Sequence, residues 1–212
     1  MIVLVDYGSG NLRSAAKALE SVGGRVEVTS VPAVIREAGH LVLPGVGAFA
    51  DCRNNLLQAG LWQPVLDHIQ RGKPFLGICV GMQLLFSESL EFGHHQGFGL
   101  IAGRVDRFSR EMPDPGDARR RLKVPHMGWN RVHQTQPAHP LWQGIAQDSH
   151  FYFVHSYFGT PDAEEWVQGR AVYGLPFTAA VGRDNLFGTQ FHPEKSQHAG
   201  LKLLENFVRW NP

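Results

Sequence analysis

Residues 1–30 read MIVLVDYGSGNLRSAAKALESVGGRVEVTS. Ile2–Val5 is an unbroken aliphatic run, the pattern of a strand covered on both faces. After it, Leu12, Ala15, Ala16, Leu19 and Val22 recur at helical spacing and form one apolar stripe. Gly23-Gly24 stops that helix, and Val26–Thr29 reads as a second strand. Strand, helix and strand in this order make a parallel unit, because the helix carries the chain back to start the next strand in the same direction.

The alternation continues. Leu41–Leu43 reads as a strand stopped by Pro44-Gly45, Asn54–Arg71 as a helix broken near Gly60 and Pro64, Phe75–Ile78 as a strand, and Val80–Ser87 as a helix. The second half changes character. Val105–Phe108, Phe151–Val154, Thr178–Val181 and Leu186–Phe191 read as strands with little helix between them, and Gln197–Trp210 as a closing helix. The expected fold is α/β: an open mixed, mainly parallel sheet flanked by helices, with an antiparallel extension. One domain is expected over 1–212. Ser109–Leu122, with two prolines, Gly116 and Arg119-Arg120-Arg121, reads as a solvated surface loop.

Composition narrows the function classes. The 212 residues carry 20 Lys plus Arg against 19 Asp plus Glu, a net charge of +1. That balance offers no electrostatic footprint for nucleic acid or an anionic membrane. A hydrophobic content of 43% suits a packed core rather than a disordered chain. The opening segment has no basic n-region and reads as a strand rather than a signal peptide, so a cytoplasmic location is expected. Two cysteines exclude a disulfide scaffold. Gly8-Ser9-Gly10 lies where a dinucleotide turn would lie, but Arg13 stands where the third glycine is needed. No phosphate loop, H-E-x-x-H or C-x-x-C is present, so neither a metal nor a cofactor is expected.

Chemistry concentrates in two places. Gly77-Ile78-Cys79-Val80-Gly81 follows a strand and opens a helix, in the G-x-nucleophile-x-G form of a nucleophile elbow with Cys for Ser. A sharp turn there pushes the sulfur out of the sheet, and glycines on either side remove Cβ atoms that would collide. The N–H of Val80 is then free to face an oxyanion. Cys52, in Asp51-Cys52-Arg53-Asn54, has no such turn and reads as a packed thiol. Near the end, His192-Pro193-Glu194 places an imidazole and a carboxylate two residues apart, on one face of an extended segment. The carboxylate can then fix the imidazole tautomer, leaving the other nitrogen for the sulfur. Gly45-Val46-Gly47, after the third strand, is a candidate second oxyanion loop or an ordinary Pro-Gly turn.

Together these segments resemble the triad glutamine amidotransferases, with Gly77–Gln83 as that family's nucleophile segment and Gln190–Glu194 as its His/Glu segment. Within the family, the narrower resemblance is to the branch of glutaminase subunits that serve imidazole glycerol phosphate formation. It rests on residues 6–12, Pro44–Phe49, Pro125-His126-Met127-Gly128-Trp129-Asn130, Phe151–Tyr157 and His192–Ser196. The family's fold is flavodoxin-like. The resemblance implies that Cys79, His192 and Glu194 hydrolyse glutamine through a glutamyl thioester, with Val80, Val46 and Gly47 forming the oxyanion hole. It implies that Gly45, Gln83, Glu91, His155, Ser156 and Tyr157 surround the glutamine. It further implies a heterodimer with a cyclase subunit built as a (β/α)8 barrel, which receives the ammonia and is faced by Asn11, Trp129 and Lys195. The alternatives are a glutaminase serving a different synthase, a cysteine hydrolase that works alone, and a non-catalytic module of the same fold.

Overall fold

The computed structural model describes the backbone of residues 1–212 and every side chain except that of Ala118. Its centre is an eight-stranded sheet. In order across it lie His133–Gln134, Val167–Tyr173, Leu175–Arg183, Leu186–Thr189, Phe75–Cys79, His40–Gly45, Ile2–Val5 and Val26–Thr29. The last five are parallel to one another, and the first three join antiparallel. The continuous apolar runs take the inner positions: every residue of Ile2–Val5, Phe75–Cys79 and Leu186–Thr189 is buried, whereas the edge strand Val26–Thr29 is not.

Helices cover the sheet in two groups. Leu12–Ser21 buries Ala15, Ala18 and Leu19 and packs beside Gln197–Arg209, which buries Leu203, Leu204 and Phe207. Pro32–Glu37 packs on Trp62–Gln70. Right-handed crossovers that reverse direction across the sheet put the two groups on opposite faces. No helix among the described residues is long and apolar enough to cross a membrane.

A second layer stands at the carboxyl ends of the parallel strands. It contains a four-stranded sheet of Tyr157–Pro161, Ile101–Arg107, Phe86–Ser89 and His95–Gln96, and the pair His126–Arg131 with His150–His155.

Several expectations change. The helix expected over Asn54–Arg71 is two helices, Phe49–Gln58 and Trp62–Gln70, parted at Gly60 with φ +67°. Pro64 does not break the second one. It lies in the first turn, where no intrahelical N–H bond is lost. The helix expected over Val80–Ser87 stops at Gln83, and Phe86–Ser89 is a strand paired with Ile101–Arg107. Leu84, Leu85 and Phe86 are all fully buried, so their apolar run carried no period to separate helix from strand. The expected loop Ser109–Leu122 contains a two-stranded ribbon, Pro113–Asp114 against Asp117–Arg121. Its turn is held by Asp114 Oδ1, which accepts the N–H of Gly116 at 2.9 Å.

Candidate active site

Three adjacent parallel strands end together. Gly45 pairs with Cys79, and Thr189 pairs with Ile78. The carboxyl ends of such strands are where open α/β sheets build their sites.

Cys79 has φ +56° and ψ −111°, a strained backbone for a residue with a Cβ. Close packing enforces it. A Cβ on Gly77 would lie 2.6 Å from the Gly81 carbonyl oxygen, and one on Gly81 only 1.9 Å from the Leu43 carbonyl oxygen. Both glycines are therefore required by backbone approaching backbone. The helix that follows is a single turn, Val80–Gln83, so its dipole is a weaker support for a thiolate than a full helix would be. Val80 is its first residue, and its N–H belongs to the donors that have no partner within the helix.

His192 and Glu194 meet as the two-residue spacing requires. His192 Nδ1 and Glu194 Oε1 are 2.8 Å apart, with both side chains only 2% exposed. His192 Nε2 has no hydrogen-bond partner, and neither has Glu194 Oε2. Burial works against charge on the imidazole, but the Cys79 sulfur and the Glu194 carboxylate outweigh it and push its pKa up to about 10. The free nitrogen is thus available to the sulfur without yet closing a hydrogen bond on it, as is common before substrate binds.

Cys79 and His192 open into a cavity of about 320 Å³. Val46, Gly47, Val80, Gln83, Glu91, His155, Ser156 and Tyr157 all line it. The sequence therefore brought the nucleophile, its base and most of the expected substrate contacts to one wall.

The family follows from comparison with known proteins. The model of the glutamine amidotransferase class-I family matches residues 3–210. The chain belongs to that family. A relative named "Imidazole glycerol phosphate synthase subunit HisH" from Syntrophotalea carbinolica is 54% identical over 207 residues, 98% of each chain. One of the same name from Acinetobacter baylyi is 52% identical over 210 residues, 99% of this chain and 98% of that one. Among solved structures, one described as a glutamine amidotransferase superposes with TM-score 0.72 at 18% identity, covering 99% and 98% of the two chains. PurLQS from Thermotoga maritima matches with TM-score 0.72 at 17% identity, covering 98% and 97%. These structures show the shared fold.

Some of this amidotransferase's expected residues take other places. Gly45 does not line the cavity. It lies beneath the nucleophile turn, where a Cβ would come within 2.7 Å of the Gly81 nitrogen and 2.8 Å of the Val80 Cβ. The ring of His155 lines the cavity with both nitrogens engaged. Nδ1 meets the Tyr157 carbonyl at 2.8 Å, and Nε2 meets His126 Nδ1 at 2.9 Å. A carbonyl can only accept, so His155 carries its proton on Nδ1 and His126 donates to Nε2. The ring nitrogens of His155 are thus both used within the protein. Cys52 is buried, as expected, but its thiol donates to the Val46 carbonyl at 3.3 Å and also meets Ser9 Oγ at 3.3 Å.

One site residue escaped the sequence reading. Gln190 is fully buried and its Nε2 donates to Cys79 Sγ at 3.7 Å, while its Oε1 accepts from Gln83 Nε2 at 3.0 Å. The signal was present: Gln190 and His192 are two apart on an extended segment and so share a face.

Buried histidines give the molecule an acid limit. Burial lowers the pKa of His68 and His126 to about 4 and of His155 to about 3. Each is therefore neutral when folded, while the unfolded chain takes up a proton near pH 6.5. Their contribution is complete above pH 6.5 and is lost as pH falls through 6.5 toward 4 and 3. Each costs up to about 1.4 kcal/mol per pH unit in that window. His192 has the opposite sign, since its raised pKa gives stability that is complete below pH 6.5 and lost as pH rises toward 10. The urea midpoint is expected to fall clearly between pH 7 and pH 5. A flat profile contradicts the neutral-histidine assignment.

Proposed function

We propose that this chain is the glutaminase subunit of an imidazole glycerol phosphate synthase, acting as one domain over 1–212. The observation that carries the reading is the near-complete match to HisH subunits at 54% and 52% identity, on a chain that keeps Cys79, His192 and Glu194 together.

In this reading Cys79 Sγ attacks the side-chain amide carbon of glutamine. His192, charged beside the sulfur, gives its Nε2 proton to the leaving ammonia, and a glutamyl thioester remains. The same nitrogen then takes a proton from water, which releases glutamate. Glu194 holds the imidazole through Nδ1, and Gln190 holds the sulfur in line. The Val80 N–H receives the oxyanion. The ammonia passes to a cyclase partner with a (β/α)8 barrel. The exposed Trp129, the Tyr152 ring 6.0 Å from it and the Lys195 ammonium 5.9 Å above that ring form a surface suited to this partner. Asn11, half-buried at the head of its helix, is assigned to the same side. Such a pair works in the cytoplasm.

In this reading the second oxyanion donor comes from the Gly45–Gly47 turn, and the Val46 N–H is the candidate already engaged elsewhere. The Val46 N–H donates to Ser9 Oγ at 3.4 Å, and Ser9 Oγ donates in turn to the Val46 carbonyl at 2.9 Å. An N–H engaged by Ser9 does not at the same time serve a tetrahedral intermediate, so the chain alone is expected to be a poor glutaminase. Adding the cyclase and its ribotide ligand should raise glutamine hydrolysis about 100- to 1,000-fold, the effect of one oxyanion donor. Equal rates with and without the partner exclude this coupling, and co-purification with a chorismate enzyme instead of a cyclase excludes the assigned synthase.

A further inference from the structure

The Cys79 sulfur already receives one N–H. Gln190 Nε2 donates to it at 3.7 Å, while His192 Nε2 has no partner. A side-chain amide has a nitrogen that donates and an oxygen that accepts, so the effect of Gln190 on the sulfur depends on which end is turned to it. Its neighbours decide this. Gln83 Nε2 lies 3.1 Å from the Tyr157 carbonyl oxygen and 3.0 Å from Gln190 Oε1. A carbonyl only accepts, so the end of Gln83 that faces Tyr157 is its nitrogen. One of its N–H groups serves Tyr157 and the other serves Gln190. Gln190 must then turn its oxygen to Gln83, which leaves its nitrogen for the sulfur. Flipping Gln83 would set its oxygen against two others, and flipping Gln190 would set two nitrogens face to face. Both side chains are buried, where a polar group left without a partner costs its full desolvation. The arrangement is tied at both ends. His155 Nδ1 donates to the same Tyr157 carbonyl at 2.8 Å, and the Gln190 backbone N–H donates to the Ala179 carbonyl at 2.9 Å.

We propose that Gln190 is a further catalytic residue, whose amide N–H stabilises the Cys79 thiolate, and that Gln83 and the Tyr157 carbonyl fix that amide as a donor. The inference rests on Cys79 being the nucleophile. A hydrogen bond to a charged acceptor is stronger than one to the neutral form, so this one favours thiolate over thiol. It also makes the anion less nucleophilic, because nucleophilicity falls as a thiolate is stabilised. The two effects have opposite signs, which gives the donor a signature that packing lacks.

The test is the pH dependence of iodoacetamide labelling of Cys79 in the full chain, followed by peptide mass analysis so that Cys52 is counted separately. Gln190→Met keeps nearly the same volume and removes the donor. It is expected to move the midpoint of the labelling curve up by about one pH unit and to raise the plateau at high pH about threefold. Gln190→Glu keeps the shape and still accepts from Gln83, but it turns a carboxylate oxygen to the sulfur, so its midpoint should rise further. The acidic limb of kcat/KM for glutamine, measured on the chain paired with its cyclase, should move in step. A midpoint that stays in place in both variants overturns the inference. So does a plateau that falls while the midpoint stays, which marks a merely structural residue. If the unsubstituted pair releases no ammonia from glutamine, the glutaminase reading fails, and the labelling curve still decides whether Gln190 is the thiolate's donor.

Discussion

Cys79→Ala is expected to abolish glutamine-dependent synthesis in the reconstituted pair while ammonia-dependent synthesis survives. The two halves of the expectation have separate physical grounds. Glutamine needs a nucleophile for its unreactive amide, and the cavity offers one: the Cys79 sulfur, beside an imidazole with a free nitrogen. Removing such a nucleophile costs about a million-fold where acyl transfer has been dissected. Free ammonia needs no activation, so the partner's chemistry should be untouched. The substitution keeps the Cβ and removes only sulfur, so the surrounding packing at Gly77 and Gly81 is preserved. Glutamine still supporting turnover means that the nucleophile lies elsewhere. Loss of the ammonia-dependent reaction as well means that Cys79 holds the fold or the pairing rather than the chemistry.

Gly81→Ala should have the largest effect on the fold. The new Cβ would stand 1.9 Å from the Leu43 carbonyl oxygen and 2.9 Å from its carbonyl carbon. Neither atom is the end of a flexible side chain. Leu43 lies in the strand His40–Gly45, fully buried and paired with Gly77 in the nucleophile strand. Relief must come from moving either that strand or the Cys79 turn. A destabilisation of about 3 kcal/mol or more is expected in urea unfolding, together with loss of glutaminase activity. Gly60→Ala provides the comparison. Gly60 has φ +67° but nothing within 4 Å of an added Cβ, so only backbone strain of about 1–2 kcal/mol should appear. Equal costs at the two positions contradict the packing account of the elbow.

How much of this was legible in the sequence depends on range. The strands Ile2–Val5 and Val26–Thr29 were readable to the residue, the first as a short, mostly β-branched aliphatic run ended by Asp6 and the second as an alternating Val-Glu-Val-Thr segment that follows Gly23-Gly24. The G-x-C-x-G elbow was legible because its glycines answer a local steric need. His192 and Glu194 were legible through period-two geometry. What failed depended on distant neighbours. Phe86–Ser89 is a strand because Ile101–Arg107 pairs with it. His126–Arg131 mixes Met, Gly and Trp in no clear period and is extended because His150–His155 lies alongside. Gly45 reads in the sequence only as part of a glycine turn, whereas the need for a missing Cβ there comes from the elbow packed against it. His155 lines the cavity, and its engagement by His126 comes from a different strand and was not readable from local spacing.

The account turns on a covalent intermediate at one sulfur. Its most direct test is peptide mass analysis of the enzyme, paired with its partner and ribotide ligand, quenched with acid during glutamine turnover. The account predicts a glutamyl adduct on the peptide containing Cys79, labile to base, absent from Cys79→Ala and formed more slowly when His192 is replaced by Asn. An unmodified Cys79 peptide under rapid turnover, or an adduct on Cys52, would contradict it.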